Sequence, residues 1–213
     1  MKKNKAFTLA EILISMMVIG VISLLTIPGM MSNSQNKRVY TSLAKAQMTV
    51  ANATGAAEAQ YGPIRFWDWS EIIPKHYIKS MNAVKWCNGP ERCFPEEFLK
   101  TTAATHWAKE GSTWKTFITP DGMYWAAIGK NDCSFSEGDP LYIKNGCAFF
   151  EVDINGLEKP NKHGVDLFGF VVTPEGTFPF GTCPGCSTAH CKDKIGGSWA
   201  CTGRVLKEGK LSW

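Results

Sequence analysis

The sequence predicts an α+β protein. A long N-terminal helix, its first half membrane-spanning, packs on a largely antiparallel β-sheet whose loops are tied by disulfides. Three observations lead there. Residues 7–27 are mostly apolar, a second apolar stripe runs from Val39 to Ala57 at helical spacing, and strand–turn–strand patterns follow from Thr113 among eight cysteines that all lie beyond residue 86. The charge is nearly balanced, with 23 Lys+Arg against 19 Asp+Glu in 213 residues. That argues against a cationic surface built for nucleic acid, and the 44% hydrophobic content argues against disorder.

The elements follow in order. Residues 1–6 carry Lys2, Lys3 and Lys5 and no acid, and Phe7–Ile27 then spans about 31 Å as a helix, enough for a hydrocarbon core of roughly 30 Å. The lysines place the N-terminus in the cytoplasm and the remainder outside, in the periplasm or beyond. No small-x-small site follows the apolar run, as a cleaved secretory signal would have. Glu11 stands out. A carboxylate inside a bilayer costs several kcal/mol unless partnered, and no cation of its own helix is placed to reach it. Cleavage between Ala6 and Phe7 creates an α-amino group, and Glu11 of one copy can pair with the Phe7 amine of the next, neutralising both charges and setting the axial register.

Pro28-Gly29 is expected to kink or melt the helix, with helix resuming after Asn33. Val39, Leu43, Ala46, Val50, Ala53 and Ala57 then form one small-residue stripe over which a sheet can lie closely, and Gly62-Pro63 ends the helix. An aromatic connector covers Ile64–Lys85, with a short helix over Trp69–Ile73 stopping before Pro74. Strands are expected at Thr113–Ile118, Met123–Ile128, Cys147–Ile154, Val165–Thr173 and Thr177–Phe180, a sheet of four or five, with turns at Thr119-Pro120-Asp121-Gly122 and Pro174-Glu175-Gly176. The chain after Gly181 reads as a cross-linked loop. The organisation is therefore a leader at 1–6, a membrane helix at 7–27, its continuation at 28–61 and a head at 62–213.

Lys5-Ala6-Phe7-Thr8-Leu9-Ala10-Glu11, followed by the apolar helix and Pro28, resembles the class III signal of type IV pilins and type II secretion pseudopilins. The resemblance covers about the first 28 residues. It implies cleavage before Phe7 by a prepilin peptidase, N-methylation of Phe7, a role for Glu11 in aligning subunits, and a helix kink at Pro28. Ala6 stands where Gly is usual, so processing is expected at lower efficiency. Loss of the leader lowers the formal charge of +4 by three, leaving a nearly neutral subunit suited to self-packing. The implied partners are other copies and other pilins, the peptidase, and an inner-membrane assembly platform with its ATPase.

Cys87 with Cys93 and Cys133 with Cys147 are the expected disulfides, while Cys183, Cys186, Cys191 and Cys201 leave three connectivities open. Cys183-Pro184-Gly185-Cys186 also has the spacing of a zinc or redox motif. The second C-x-x-C of a zinc ribbon is missing and no βαβ unit surrounds it, so structural bridges are the favoured reading. Asp153, Asn155 and Asp166 are hard oxygen ligands in one inter-strand loop, and some pseudopilins bind Ca²⁺ in such a loop. The spacing is not an EF-hand, and three side chains fall short of the six to eight oxygens Ca²⁺ takes. An Asx-rich connection without cofactor is favoured there. The histidines are scattered and no nucleophile or phosphate-loop motif occurs, so no enzyme is expected. Two other readings remain: a minor pilin whose head binds DNA, a surface or an exported substrate, and a periplasmic binding or enzyme domain on a membrane anchor.

Overall fold

The computed structural model describes residues 8–88, 93–96, 113–135, 143–186, 191 and 200–211, and of residues 25–33 the backbone alone. The chain divides into two compact units, Met1–Arg38 and Val39–Trp213. Helix α1 (Leu9–Tyr61) contributes to both.

In the first unit the described apolar side chains of α1, up to Leu24, lie open, with Leu9 81% and Leu24 77% exposed. Among the described residues no helix is long and apolar enough to cross a membrane. The side chains given for this part of α1 stop at Leu24, so the expected span of 7–27 extends past them at both ends. The backbone stays helical through Pro28 and Gly29 rather than melting. A proline inside a helix removes one hydrogen bond, and cooperative helix on either side can carry that loss.

In the second unit Leu43, Ala46, Val50, Ala53 and Ala57 are all buried. They join a core with Phe117, Trp125, Phe150, Val152, Phe168, Phe170 and Val172. Those residues come from a six-stranded antiparallel meander: β1 (Lys85–Asn88), β2 (Lys115–Ile118), β3 (Tyr124–Gly129), β4 (Ala148–Asp153), β5 (Leu167–Thr173) and β6 (Gly176–Pro179), in spatial order β1 to β6. Side chains alternate between the faces of a strand, so Phe150 and Val152 face the α1 stripe while Phe149 joins a second cluster with Ile143, Val171, Phe180 and Cys183. β4 and β5 are buried along their whole length. Gly169 makes this close packing possible: a Cβ there would meet the Phe180 ring at 2.3 Å.

Three expectations need correction. β1 was not foreseen as a strand; it pairs Trp86 with Phe117 at an edge and is mostly exposed, so it lacks the apolar pattern of an inner strand. The short helix within the connector does not stop before Pro74. α2 (Trp69–Ile72) passes into a π-helical turn, Ile73–Tyr77, and then α3 (Ile78–Ser80), with the Ile78 N–H donating to the Ile73 carbonyl. A proline in the first turn of the π segment has no N–H to leave unpaired, and the wider turn accommodates its ring. Finally, the Cys-rich tail contains α4 (Cys201–Glu208), which ends at Gly209 in the left-handed region, φ 71°. α4 docks through Gly203 N–H to the Phe180 carbonyl at 3.0 Å and through the Thr202 hydroxyl, which accepts from Gly169 N–H at 2.9 Å.

Candidate functional site

The start of α1 is built by two residues. Thr8 N–H and Thr8 Oγ1 both donate to Glu11 Oε2, at 2.8 and 2.9 Å, and Glu11 N–H donates back to Thr8 Oγ1 at 3.3 Å. This is a reciprocal capping box, which satisfies helix N-terminal donors that otherwise lack partners. Sequence reasoning left Glu11 without a partner in its own chain and so missed Thr8, although the Thr-x-x-Glu spacing is the signal for it. The box occupies only one carboxylate oxygen. Glu11 Oε1 carries no hydrogen bond among the described residues, and a carboxylate has acceptor capacity left for an ammonium. Ala6 and Phe7 lie outside the described residues, and of Pro28 only the backbone is given.

The second assembly is the loop from Asp153 to Asp166. The structure brings Asp153, Asn155 and Asp166 together. Asn155 N–H donates to Asp153 Oδ1 at 3.2 Å, and the Asn155 side chain also hydrogen-bonds Asp166. Asp166 accepts from Asn161 N–H at 2.8 Å and Lys162 N–H at 2.6 Å. Both acids are almost fully buried. Burial and then the charge of Asp166 push Asp153 up to about 9. Burial also raises Asp166, against the opposing backbone N–H groups of Lys162 and Asn161.

Asn161 is the member that sequence reasoning missed. With its amide nitrogen inward it donates to Gly156 O at 3.1 Å, Asp153 Oδ2 at 3.1 Å and Glu158 O at 2.8 Å. Turned over, the amide would present its oxygen to those same three oxygens, an arrangement that a bound cation or a protonated Asp153 would stabilise. The Asn155 Oδ1 atom, buried and without a partner, adds a further hard donor. Carboxylates, amides and carbonyls fit Ca²⁺ by donor type. Among the described residues no group of three or more His, Cys, Asp or Glu side chains is gathered as for a metal ion.

The disulfides join Cys87 to Cys93, Cys133 to Cys147, Cys183 to Cys186 and Cys191 to Cys201. The first two are the expected pairs, and the last two resolve the tail. The head also carries a groove of about 530 Å³ lined by residues including Thr49, Asn52, Asn82 and Trp125, with the Lys45–Asp121 ion pair, 2.8 Å, on its wall.

No curated protein and no solved structure matches the chain. Residues 1–27 match the family model of the prokaryotic N-terminal methylation motif, so the chain carries the signature of type IV pilins and pseudopilins.

Proposed function

We propose that the chain is a structural subunit of a type IV pilus or type II secretion pseudopilus. The observation that carries this reading is the match of residues 1–27 to the methylation motif, with Glu11 inside the apolar run. The precursor is held in the inner membrane by Phe7–Ile27 with its lysines in the cytoplasm. Cleavage after Ala6 frees the Phe7 amine, which is methylated, and an assembly platform with its ATPase moves the subunit into the filament. There the apolar α1 surfaces bury one another. Glu11 keeps its Thr8 donors and offers Oε1 to the Phe7 ammonium of a neighbour, so the two charges neutralise in a dry environment.

Mass spectrometry of the native N-terminus tests the processing step; retention of Met1–Ala6 overturns the reading. Glu11→Val tests the pairing. It is expected to leave membrane insertion and cleavage intact and to reduce recovery in sheared filaments about tenfold or more, the loss of a partnered buried charge being worth at least 1.4 kcal/mol. Equal incorporation of the variant refutes it.

The loop is a candidate Ca²⁺ site held by Asp153, Asn155 and Asp166, with Asn161 and the Gly156 and Glu158 carbonyls completing it. Bound there, the ion would neutralise the two buried acids and lock the connection between β4 and β5. A second reading, a minor pilin whose head binds a ligand, is favoured by the groove beside Lys45 and Asp121. A pull-down with the head against exported proteins and DNA separates it from a plain building block.

A further inference from the structure

Three of the four disulfides close loops with sequence separations of 6, 14 and 10, whereas Cys183 and Cys186 are 3 apart. A bridge restrains the unfolded chain more as its loop lengthens, so this one contributes least to the fold. The turn it spans is already closed without it. Cys186 N–H donates to the Cys183 carbonyl at 2.8 Å, Pro184 presets the first central position, and Gly185 at φ 75° supplies the second. The fold therefore depends on this bond least of the four.

The two sulfurs sit in different surroundings. Cys183 is buried in the cluster of Ile143, Phe149, Val171 and Phe180, while Cys186 packs at its rim and is half-buried. The Lys144 N–H donates to Cys186 Sγ at 3.3 Å. The Lys144 side chain folds over the turn, its ammonium 3.5 Å from where a Cβ on Gly185 would stand. An N–H donor on an accessible sulfur, with a lysine lying over the same turn, favours its thiolate, and apolar surroundings keep the other a thiol.

We propose that Cys183 and Cys186 form a dithiol–disulfide exchange site, with Cys186 the attacking sulfur and Cys183 the resolving one. In the reduced pair the Cys186 thiolate attacks an accessible disulfide of another molecule. A mixed disulfide forms and one sulfur leaves as a thiolate that takes up a proton. Cys183 then loses its proton and attacks Cys186 Sγ, releasing the second sulfur. The site ends oxidised and the substrate gains two electrons and two protons. A dithiol runs the same steps in reverse and recharges the site. The substrate class is thus an exposed disulfide, and the reductant an external dithiol. This proposal stands apart from the filament reading, since it requires only the head.

The full-length chain in detergent is equilibrated in graded mixtures of reduced and oxidised dithiothreitol, quenched by alkylation and mapped by mass spectrometry. The Cys183–Cys186 pair is expected to open at a ratio about tenfold or more less reducing than the other three bridges, with near-UV circular dichroism unchanged. Against oxidised glutathione, Cys186 in Cys183→Ser is expected to be trapped about tenfold faster than Cys183 in Cys186→Ser, and Lys144→Gln to slow trapping at Cys186. Opening of all four bridges in one step with loss of the near-UV signal overturns the proposal in the native chain, whatever the variants do. Faster trapping at Cys183 overturns the assignment of the attacking sulfur.

Discussion

Thr54→Val removes one oxygen from the centre of the head and keeps the shape. Thr54 is 3% exposed, and its hydroxyl donates to the Val50 carbonyl at 2.9 Å. Having spent its proton there, it must accept from the Tyr77 hydroxyl at 2.8 Å, as it does from Thr177 Oγ1, also at 2.8 Å. Burial pushes the Tyr77 phenol up, so it stays a donor throughout the accessible pH range. This hydroxyl chain ties α1 to β6 and to the π-helical turn. In Thr54→Val the half-buried Thr177 can turn to water, and the Val50 carbonyl keeps its helical bond. Tyr77, fully buried, cannot reach a substitute. An orphaned buried donor costs about 1–3 kcal/mol and each lost bond about 1 kcal/mol, so the variant is expected to lose about 2–4 kcal/mol. Removing both partners restores an apolar contact, and Thr54→Val/Tyr77→Phe is expected to recover about 1–2 kcal/mol relative to the sum of the single variants. Urea unfolding of the detergent-solubilised protein, followed by tryptophan fluorescence, measures all four forms. A Thr54→Val loss below about 0.5 kcal/mol, or strict additivity of the pair, refutes the hydroxyl chain as a unit.

Two further outcomes are expected. Burial pushes the Asp121 carboxyl up, but the Lys45 ammonium and the Thr119 hydroxyl outweigh it and hold the group below its ordinary value of 3.8. A depressed carboxyl adds stability that is present above its unfolded pKa and lost as pH falls through the folded one. Thermal midpoints of the native chain should therefore drop more steeply below about pH 4 than those of Asp121→Asn, and parallel acid limbs contradict the ion pair. Calcium is expected to raise the melting temperature of the native chain after chelation, with a smaller rise in Asp153→Asn and in Asn161→Ala. Equal shifts in all three proteins, read by differential scanning fluorimetry, argue against the loop as the site.

The parts legible in the sequence were those set by local periodicity. The Val39–Ala57 stripe announces a buried helix face because positions three and four apart share a side whatever covers them. The two Pro- and Gly-bearing turns mark β2–β3 and β5–β6, since proline and glycine restrict the backbone by themselves. β1 escaped notice because an edge strand with exposed Lys85 and Trp86 has no buried face to pattern, and its strand character comes from pairing with β2. α4 escaped because glycines and cysteines are weak helix formers, and its formation depends on docking against Phe180 and Gly169.

The same division holds at the sites. The methylation motif occupies contiguous residues, 1–27, and Glu11 was therefore visible at once. Asn161 could not be assigned to Asp153, nor Lys144 to Cys186, from spacing alone. The first meeting depends on how a loop folds back between β4 and β5, and the second joins residues 42 apart. Sequence by itself determined where the methylation motif lies and where the helix must be covered, since both are one-dimensional patterns of polarity. Only tertiary structure decided which oxygens share a cavity and which sulfur faces outward, because burial and hydrogen-bond partnership are properties of the packed chain.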